Sequence, residues 1–250
     1  MDAAIVIGGI RYSHPILNAA RTCSTVEDVT ALAASAVAGI TVGPVTYAPN
    51  AENEGLMYYR RQLREMVRAA AEHGKPLSLS VAGSTVAEYI ELAGLALDNK
   101  TAALELDVSG DRAWLGSIAA RDPKAIAKVI EAARRYLRLH VIGVTLTPCS
   151  DAGLRQELAA MLGEAPIQYV VVRAETPLAE ALDYVRELRQ LLPLEMQVVS
   201  AGGIETAVDV HAFLAAGASA VQVEAAHLSV GQRPSFFDEL VRDVALPGRG

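Results

Sequence analysis

The chain has 250 residues, 52% of them hydrophobic, enough to bury a large core, which excludes intrinsic disorder. Its 22 basic residues against 29 acidic ones leave a net charge of −7 and a pI near 5.3. With no basic stripe in the sequence, that balance argues against nucleic acid as a partner.

Two cysteines, Cys23 and Cys149, cannot build a disulfide framework and fit a reducing, cytoplasmic setting. The opening MDAAIVIGGIRYSHPIL lacks the basic start and long apolar stretch of a signal peptide. No charge-free apolar run is long enough to span a bilayer, so no membrane association is expected. The mean hydropathy of +0.26 suits strands covered on both faces.

In chain order, Ala4–Ile10 reads as an extra strand and Pro15–Ala19 as the first of a regular series. Ser24-Thr25-Val26-Glu27 has the capping-box pattern of a helix start, and the strand Gly39–Val42 follows. A helix over Tyr58–His73 leads to the strand Leu77–Val81, and the box Thr85-Val86-Ala87-Glu88 opens the helix before Ala103–Val108. Asp122-Pro123 places a capping side chain ahead of a proline at the first helical position, before the strand Val141–Leu146. The helix Ala152–Met161 and the strand Gln168–Val172 come next, then a second cap-proline pair at Thr176-Pro177. Gln197–Ser200, the helix Thr206–Ala216, Ala220–Val223 and the helix Ser235–Val244 complete the chain. The strands are short, β-branched or Leu-rich and do not alternate, as parallel strands buried on both faces should read.

About eight strand–helix units with no linker match the size of a (β/α)8 TIM barrel, so a single α/β barrel domain over residues 1–250 is expected. A doubly wound open sheet is the alternative, but it would more often need fewer units or a second domain. In a barrel, chemistry sits at the C-terminal ends of the strands, which sorts the polar residues. All four lysines fall elsewhere: Lys75 and Lys100 precede strands, and Lys124 and Lys128 lie on a helix. Schiff-base chemistry is therefore not expected. His73, His140 and His211 are likewise off the mouth, whereas His227 and His14 can approach it, and a lone histidine is more often a helix cap. No histidine or cysteine pair has metal-ligand spacing, so no metal site is expected.

The strand ends leave a short list of candidates. In Glu105-Leu106-Asp107 the alternation turns both carboxylates into the barrel, where they need partners. Arg173 is the cation to pair with Asp107 or Glu224. One reading is a buried ion-pair network filling the barrel; the other is a carboxylate tuned as general acid or base. Cys149 follows Thr147-Pro148 and opens a helix, where a thiol can act as nucleophile or simply pack. Gly202 and Gly203, in Ser200-Ala201-Gly202-Gly203-Ile204, permit close backbone approach of a phosphate to the following helix.

That glycine segment, with Ala216-Gly217-Ala218-Ser219-Ala220-Val221-Gln222-Val223 after it, resembles dihydroorotate dehydrogenases, FMN-dependent barrels. His14-Pro15-Ile16-Leu17-Asn18-Ala19-Ala20 resembles the first strand of that family, Ser80-Val81-Ala82-Gly83 its S-I-A-G turn, and Glu105-Leu106-Asp107-Val108-Ser109 its E-L-N-hydrophobic-S strand. The resemblance covers nearly the whole chain. It implies an oxidoreductase fold, with Gly202, Gly203, Ala19 and Ala20 against FMN and Asn53, Thr145 and Ser109 against substrate. The chain departs from the family where it matters chemically. The two lysines of the family align with Gly43 and Thr145, the strand-four asparagine with Asp107, and Gly-Thr at the phosphate with Glu224-Ala225. A carboxylate about 4 Å from a phosphate charge costs about 4 kcal/mol at an effective dielectric of 20.

Three readings follow. The chain is a flavin-free small-molecule enzyme using Asp107, Glu224 and Arg173, with or without Cys149, and not a true dihydroorotate dehydrogenase. It is an FMN oxidoreductase with a rebuilt site. Or it is a non-catalytic barrel, a partner subunit or ligand sensor. Tyr58-Tyr59 and apolar helices would support a homodimer.

Overall fold

The computed structural model describes residues 4–50, 54–110, 122–174, 177–225 and 228–245. Its first element is a hairpin where the sequence suggests one extra strand. β1 (Ile5–Ile7) pairs antiparallel with β2 (Ile10–Tyr12) across Gly8-Gly9, both at positive φ. Two consecutive glycines at such φ values form a two-residue hairpin turn, the signal that reading Ala4–Ile10 as one strand overlooks.

Eight parallel strands follow, each but the last answered by a helix before the next. They are β3 (Ile16–Asn18), β4 (Ile40–Val45), β5 (Leu77–Val81), β6 (Ala103–Asp107), β7 (Val141–Leu146), β8 (Tyr169–Arg173), β9 (Gln197–Ala201) and β10 (Ala220–Val223). The helices are α1 (Val26–Ala33), α2 (Gly55–Glu72), α3 (Val86–Asn99), α4 (Pro123–Leu137), α5 (Ala152–Glu164), α6 (Leu178–Leu191), α7 (Ala207–Ala215) and α8 (Arg233–Ala245). Hydrogen bonding runs β3-β10-β9-β8-β7-β6-β5-β4, all parallel, which is the (β/α)8 barrel.

The remaining seam, between β3 and β4, is joined by a side chain. Asn18 accepts from Thr41 N–H at 2.9 Å and donates to Thr41 C=O at 3.0 Å, replacing the two bonds a neighbouring strand would make. Ala38 N–H to Ile16 C=O at 3.0 Å is a main-chain bond across the same seam. The exposed edge that an open sheet would present is thereby removed.

Helix starts follow local chemistry, with small shifts from expectation. Thr25 caps α1 and Asp28, not Glu27, completes the capping box, one residue later than the sequence pattern suggests. Thr85 caps α3, while Glu88 reaches back to Ser84 N–H instead of closing the box. Asp122 caps α4 with Pro123 behind it as expected. The cap proposed at Thr176 lies outside the described residues; α6 starts after Pro177 without a side-chain cap.

Alternation along each strand separates two apolar layers. Leu104, Leu106, Val170, Val172, Val221 and Val223 pack outward against the helices. Ala103, Tyr169, Val171, Val199, Ala201 and Ala220 face inward, and Ile7 and Tyr12 of the hairpin join them. The hairpin thus plugs the N-terminal end of the barrel. Two glycines make room for the rings there. A Cβ on Gly39 would lie 2.5 Å from Tyr12, and one on Gly143 2.4 Å from Tyr169. Large rings against missing side chains fill a barrel too narrow for two bulky residues at one level.

Candidate active site at the barrel mouth

The inward parity of β6, β8 and β10 brings charged groups together above that apolar floor. Glu105 and Asp107 come from β6, Arg173 from β8, and Gln222 with Glu224 from β10 and its end. Arg173 is fully buried, and its Nη1 donates to Asp107 Oδ2 at 2.6 Å. Its Nε lies 3.7 Å from Glu224 Oε1, so one guanidinium serves two carboxylates from opposite sides of the barrel. The other oxygen of Asp107 accepts from Ser109 Oγ at 2.6 Å and Ser109 N–H at 3.0 Å. Tyr89 Oη holds the same residue from the helix layer by donating to Asp107 C=O at 2.6 Å. Asp107 is therefore immobilised at both carboxylate oxygens and at the main chain.

Glu105 sits one inward position deeper. Its Oε1 accepts from Gln222 Nε2 at 2.7 Å and Tyr169 Oη at 3.1 Å, and the residue is buried. Burial pushes the carboxyl from 4.5 to about 7, against the pull of those two hydrogen bonds and of Arg173. Several atoms in this stack are buried without a hydrogen-bond partner: Arg173 Nη2, Thr145 Oγ1, Ser80 Oγ and Glu224 Oε1. Thr145 is the register partner of Asp107, and Ser80 of Glu105, so these belong to one lining. Unsatisfied buried donors and acceptors are costly, and a polar occupant, water or ligand, is what completes them.

The remaining sequence candidates fall around this core. Ala19 and Ala20 are fully buried at the end of β3, where Ala19 N–H bonds Val223 C=O at 3.0 Å, beside the Glu224 strand end. Gly202 and Gly203 both have positive φ, and a Cβ on Gly202 would lie 2.5 Å from Ala174 C=O, immediately after Arg173. Their helix, α7, is capped by Thr206 in a box with Asp209, whose carboxylate also takes the N–H groups of Glu205 and Thr206.

Cys149 does not join the carboxylates. It is buried beside a groove between α5 and α6, and the cap of α5 is Asp151, two residues on. Asn53 and His227 lie outside the described residues. Ser200, just before the glycine turn, is register partner to Val172 and Val221 and so faces the helix layer. Lys75 is spent at the other end of the barrel, donating to the carbonyls of Leu32 and Ser35.

Sequence reasoning overlooked Tyr169 and Gln222 as partners of Glu105, and Asn18 as the seam. The signal was present for the first two. They sit at even spacing from Arg173 and Glu224 on their strands, which fixes their side of the sheet. Among the described residues, no group of three or more His, Cys, Asp or Glu side chains is placed to hold a metal ion, and no helix is long and apolar enough to cross a membrane.

Comparison with known proteins points to one family. The family model described as Dihydroorotate dehydrogenase matches residues 177–244. The dihydroorotate dehydrogenase B (NAD(+)) catalytic subunit of Desulforudis audaxviator is 28% identical over 272 residues, covering 91% of this chain and 87% of that protein. The protein of the same description from Geobacter sulfurreducens is 27% identical over 286 residues, covering 98% and 93%. In structure, a DHODH from Eimeria tenella in complex with ferulenol superposes with a TM-score of 0.79 at 14% identity, covering 97% of this chain and 82% of that one.

Proposed function

Starting from a chain that is a dihydroorotate dehydrogenase-like TIM barrel, we propose a flavin-free enzyme that performs acid–base chemistry on a small polar molecule at the barrel mouth. The observation that carries this reading is the buried Arg173, shared between Asp107 at 2.6 Å and Glu224 at 3.7 Å, with Nη2 left unpartnered.

The roles follow from the geometry. Glu224 is partly exposed, at 29% of its side chain, while its Oε1 is turned inward, 3.7 Å from Arg173 Nε. It is the group able to take or give a proton at a bound molecule. Arg173 Nη2 presents a fixed N–H to an oxygen on which negative charge develops. Asp107 is saturated by Arg173 and Ser109, so it acts as a positioning residue that fixes the guanidinium. Thr145 Oγ1 is the further polar group available to orient the molecule.

FMN is the cofactor the resemblance implies, and the residues present do not fit it in the manner the family implies. Gly43 stands where the resemblance places a lysine. Its φ is +114°, and a Cβ there would be 2.4 Å from Ser80 C=O, so this backbone does not admit a lysine. After the glycine turn, Asp209 takes the N–H groups of Glu205 and Thr206 and so places a carboxylate at the start of α7, where a phosphate's negative charge would be repelled. The Arg173 guanidinium at the mouth is already engaged by Asp107 and Glu224. No step is therefore routed through a flavin.

Two measurements test the reading. Purified protein is expected to be colourless, without flavin absorbance near roughly 450 nm, and to bind no added FMN. A screen of small metabolites should find turnover that Glu224→Gln lowers by about 10²-fold or more while the protein stays folded. A yellow protein that retains FMN would overturn the flavin-free reading and favour a dihydroorotate dehydrogenase-type oxidoreductase. Binding without turnover, unaffected by Glu224→Gln, would favour a ligand sensor.

A further inference from the structure

Inside the barrel, between Glu105 and the hairpin that plugs the N-terminal end, lies a small void that the mouth chemistry does not use. Its volume is about 10 Å³, and every residue lining it is buried. A space of that size admits one water molecule, provided polar groups surround it. Six polar side chains do: Tyr12 from β2, Thr41 from β4, Ser78 from β5, Glu105 from β6, Tyr169 from β8 and Gln222 from β10. An apolar void would stay dry.

The hydrogen bonds among these groups leave two oxygens over. Gln222 Nε2 and Tyr169 Oη both donate to Glu105 Oε1, at 2.7 and 3.1 Å. Tyr12 shares a hydrogen bond with Ser78. Glu105 Oε2 and Gln222 Oε1 are buried and have no partner among the protein groups. They belong to two side chains that are bonded to each other and that both line the void. Leaving such acceptors unmade is costly, and the protein donors beside them are turned to Glu105 Oε1 instead.

We propose that this void is a binding site for one water molecule, which joins Glu105 Oε2 to Gln222 Oε1 and ties the hairpin to the strands around it. Water suits both oxygens because it donates and accepts. One of its hydrogens goes to Gln222 Oε1. Burial favours the protonated form of Glu105, whose Oε2–H donates to the water; an ionised Glu105 accepts the second hydrogen instead. The hydroxyls of Thr41 and Ser78 line the same void and complete the roughly three bonds that an internal water makes. The site stands apart from the acid–base chemistry proposed for the mouth, and its failure would leave that reading untouched.

A high-resolution crystal structure of the unaltered protein tests the site directly. One rounded density peak is expected in the void, about 2.8 Å from Gln222 Oε1 and from Glu105 Oε2. A void without density overturns the proposal, and so do contacts much shorter than hydrogen bonds, which would mark a metal cation. In solution, oxygen-17 relaxation dispersion counts the waters that a protein holds for longer than it tumbles. Val199→Ile and Ser78→Thr, at two different strands of the lining, each add one methyl group, and each should lower the count by one water. Unchanged counts in both variants, with near-ultraviolet circular dichroism showing that they keep their packing, would also overturn it. The crystal structure needs no variant, so a variant that fails to fold leaves the test in place.

Discussion

Replacing Glu105 by glutamine gives the sharpest test of how the barrel interior is held. The carboxyl is moved from 4.5 to about 7 because it is buried beneath Asp107 with only Gln222 and Tyr169 as donors. A raised value means that the folded chain holds this proton more tightly than the unfolded chain does. Between pH 4.5 and about 7 the folded state carries a proton that the unfolded state has lost, so stability falls as pH rises through that window. Each unit is worth about 1.4 kcal/mol, and the whole window about 3 kcal/mol, a large share of a typical domain stability of about 5–15 kcal/mol. Glutamine has no proton to lose, yet its carbonyl can still accept from Tyr169 and Gln222.

Urea unfolding of both proteins between about pH 5 and 8 reads the effect, and all other titrations cancel in the difference. Glu105→Gln should gain on the wild type as pH rises, by roughly 3 kcal/mol in all, and level off above about pH 7. Parallel stability curves would refute the reasoning. They would mean that Arg173 keeps Glu105 ionised in the fold despite its burial.

Further predictions concern the charges, the seam and the glycine turn. Asp107→Asn leaves Arg173 with only Glu224 at 3.7 Å, and should cost about 3 kcal/mol in urea unfolding, as removing one member of a buried pair does. Asn18→Ala deletes both bonds to the Thr41 main chain and should cost about 2 kcal/mol, with hydrogen exchange quickened at Thr41 N–H. Gly202→Ala forces a Cβ to within 2.5 Å of Ala174 C=O at positive φ, whereas Gly203→Ala meets open space. The first should lower the thermal midpoint clearly and the second by about 1 kcal/mol or less in stability; equal effects would show that φ alone, and not the close approach, sets the requirement.

Much of this protein was legible from its residues one at a time. Short apolar runs covered on both faces and capped helices between them specify a parallel barrel, because each local preference agrees with the next. Strand parity also shows which way Glu105, Asp107 and Arg173 point, since alternation is a property of the backbone and not of its neighbours. Boundaries and caps shifted by a residue or so, as at Asp28, because Ser24 and Thr25 are both able to cap, and with Thr25 as the cap Asp28 stands at the third helical position.

What the tertiary structure alone decided is who meets whom. Arg173 and Asp107 are 66 positions apart, and Glu105 and Gln222 are 117 apart. Only closure of the sheet sets how much charge each partner must balance and how far Glu105 is desolvated. The seam bond of Asn18 exists because that closure leaves two strands slightly out of main-chain reach. Cys149, plausible at the mouth by sequence, is carried to an outer groove by the loop before α5. Asp107, Arg173 and Glu224, three charges scattered along the sequence, meet only because folding juxtaposes side chains that no local pattern links.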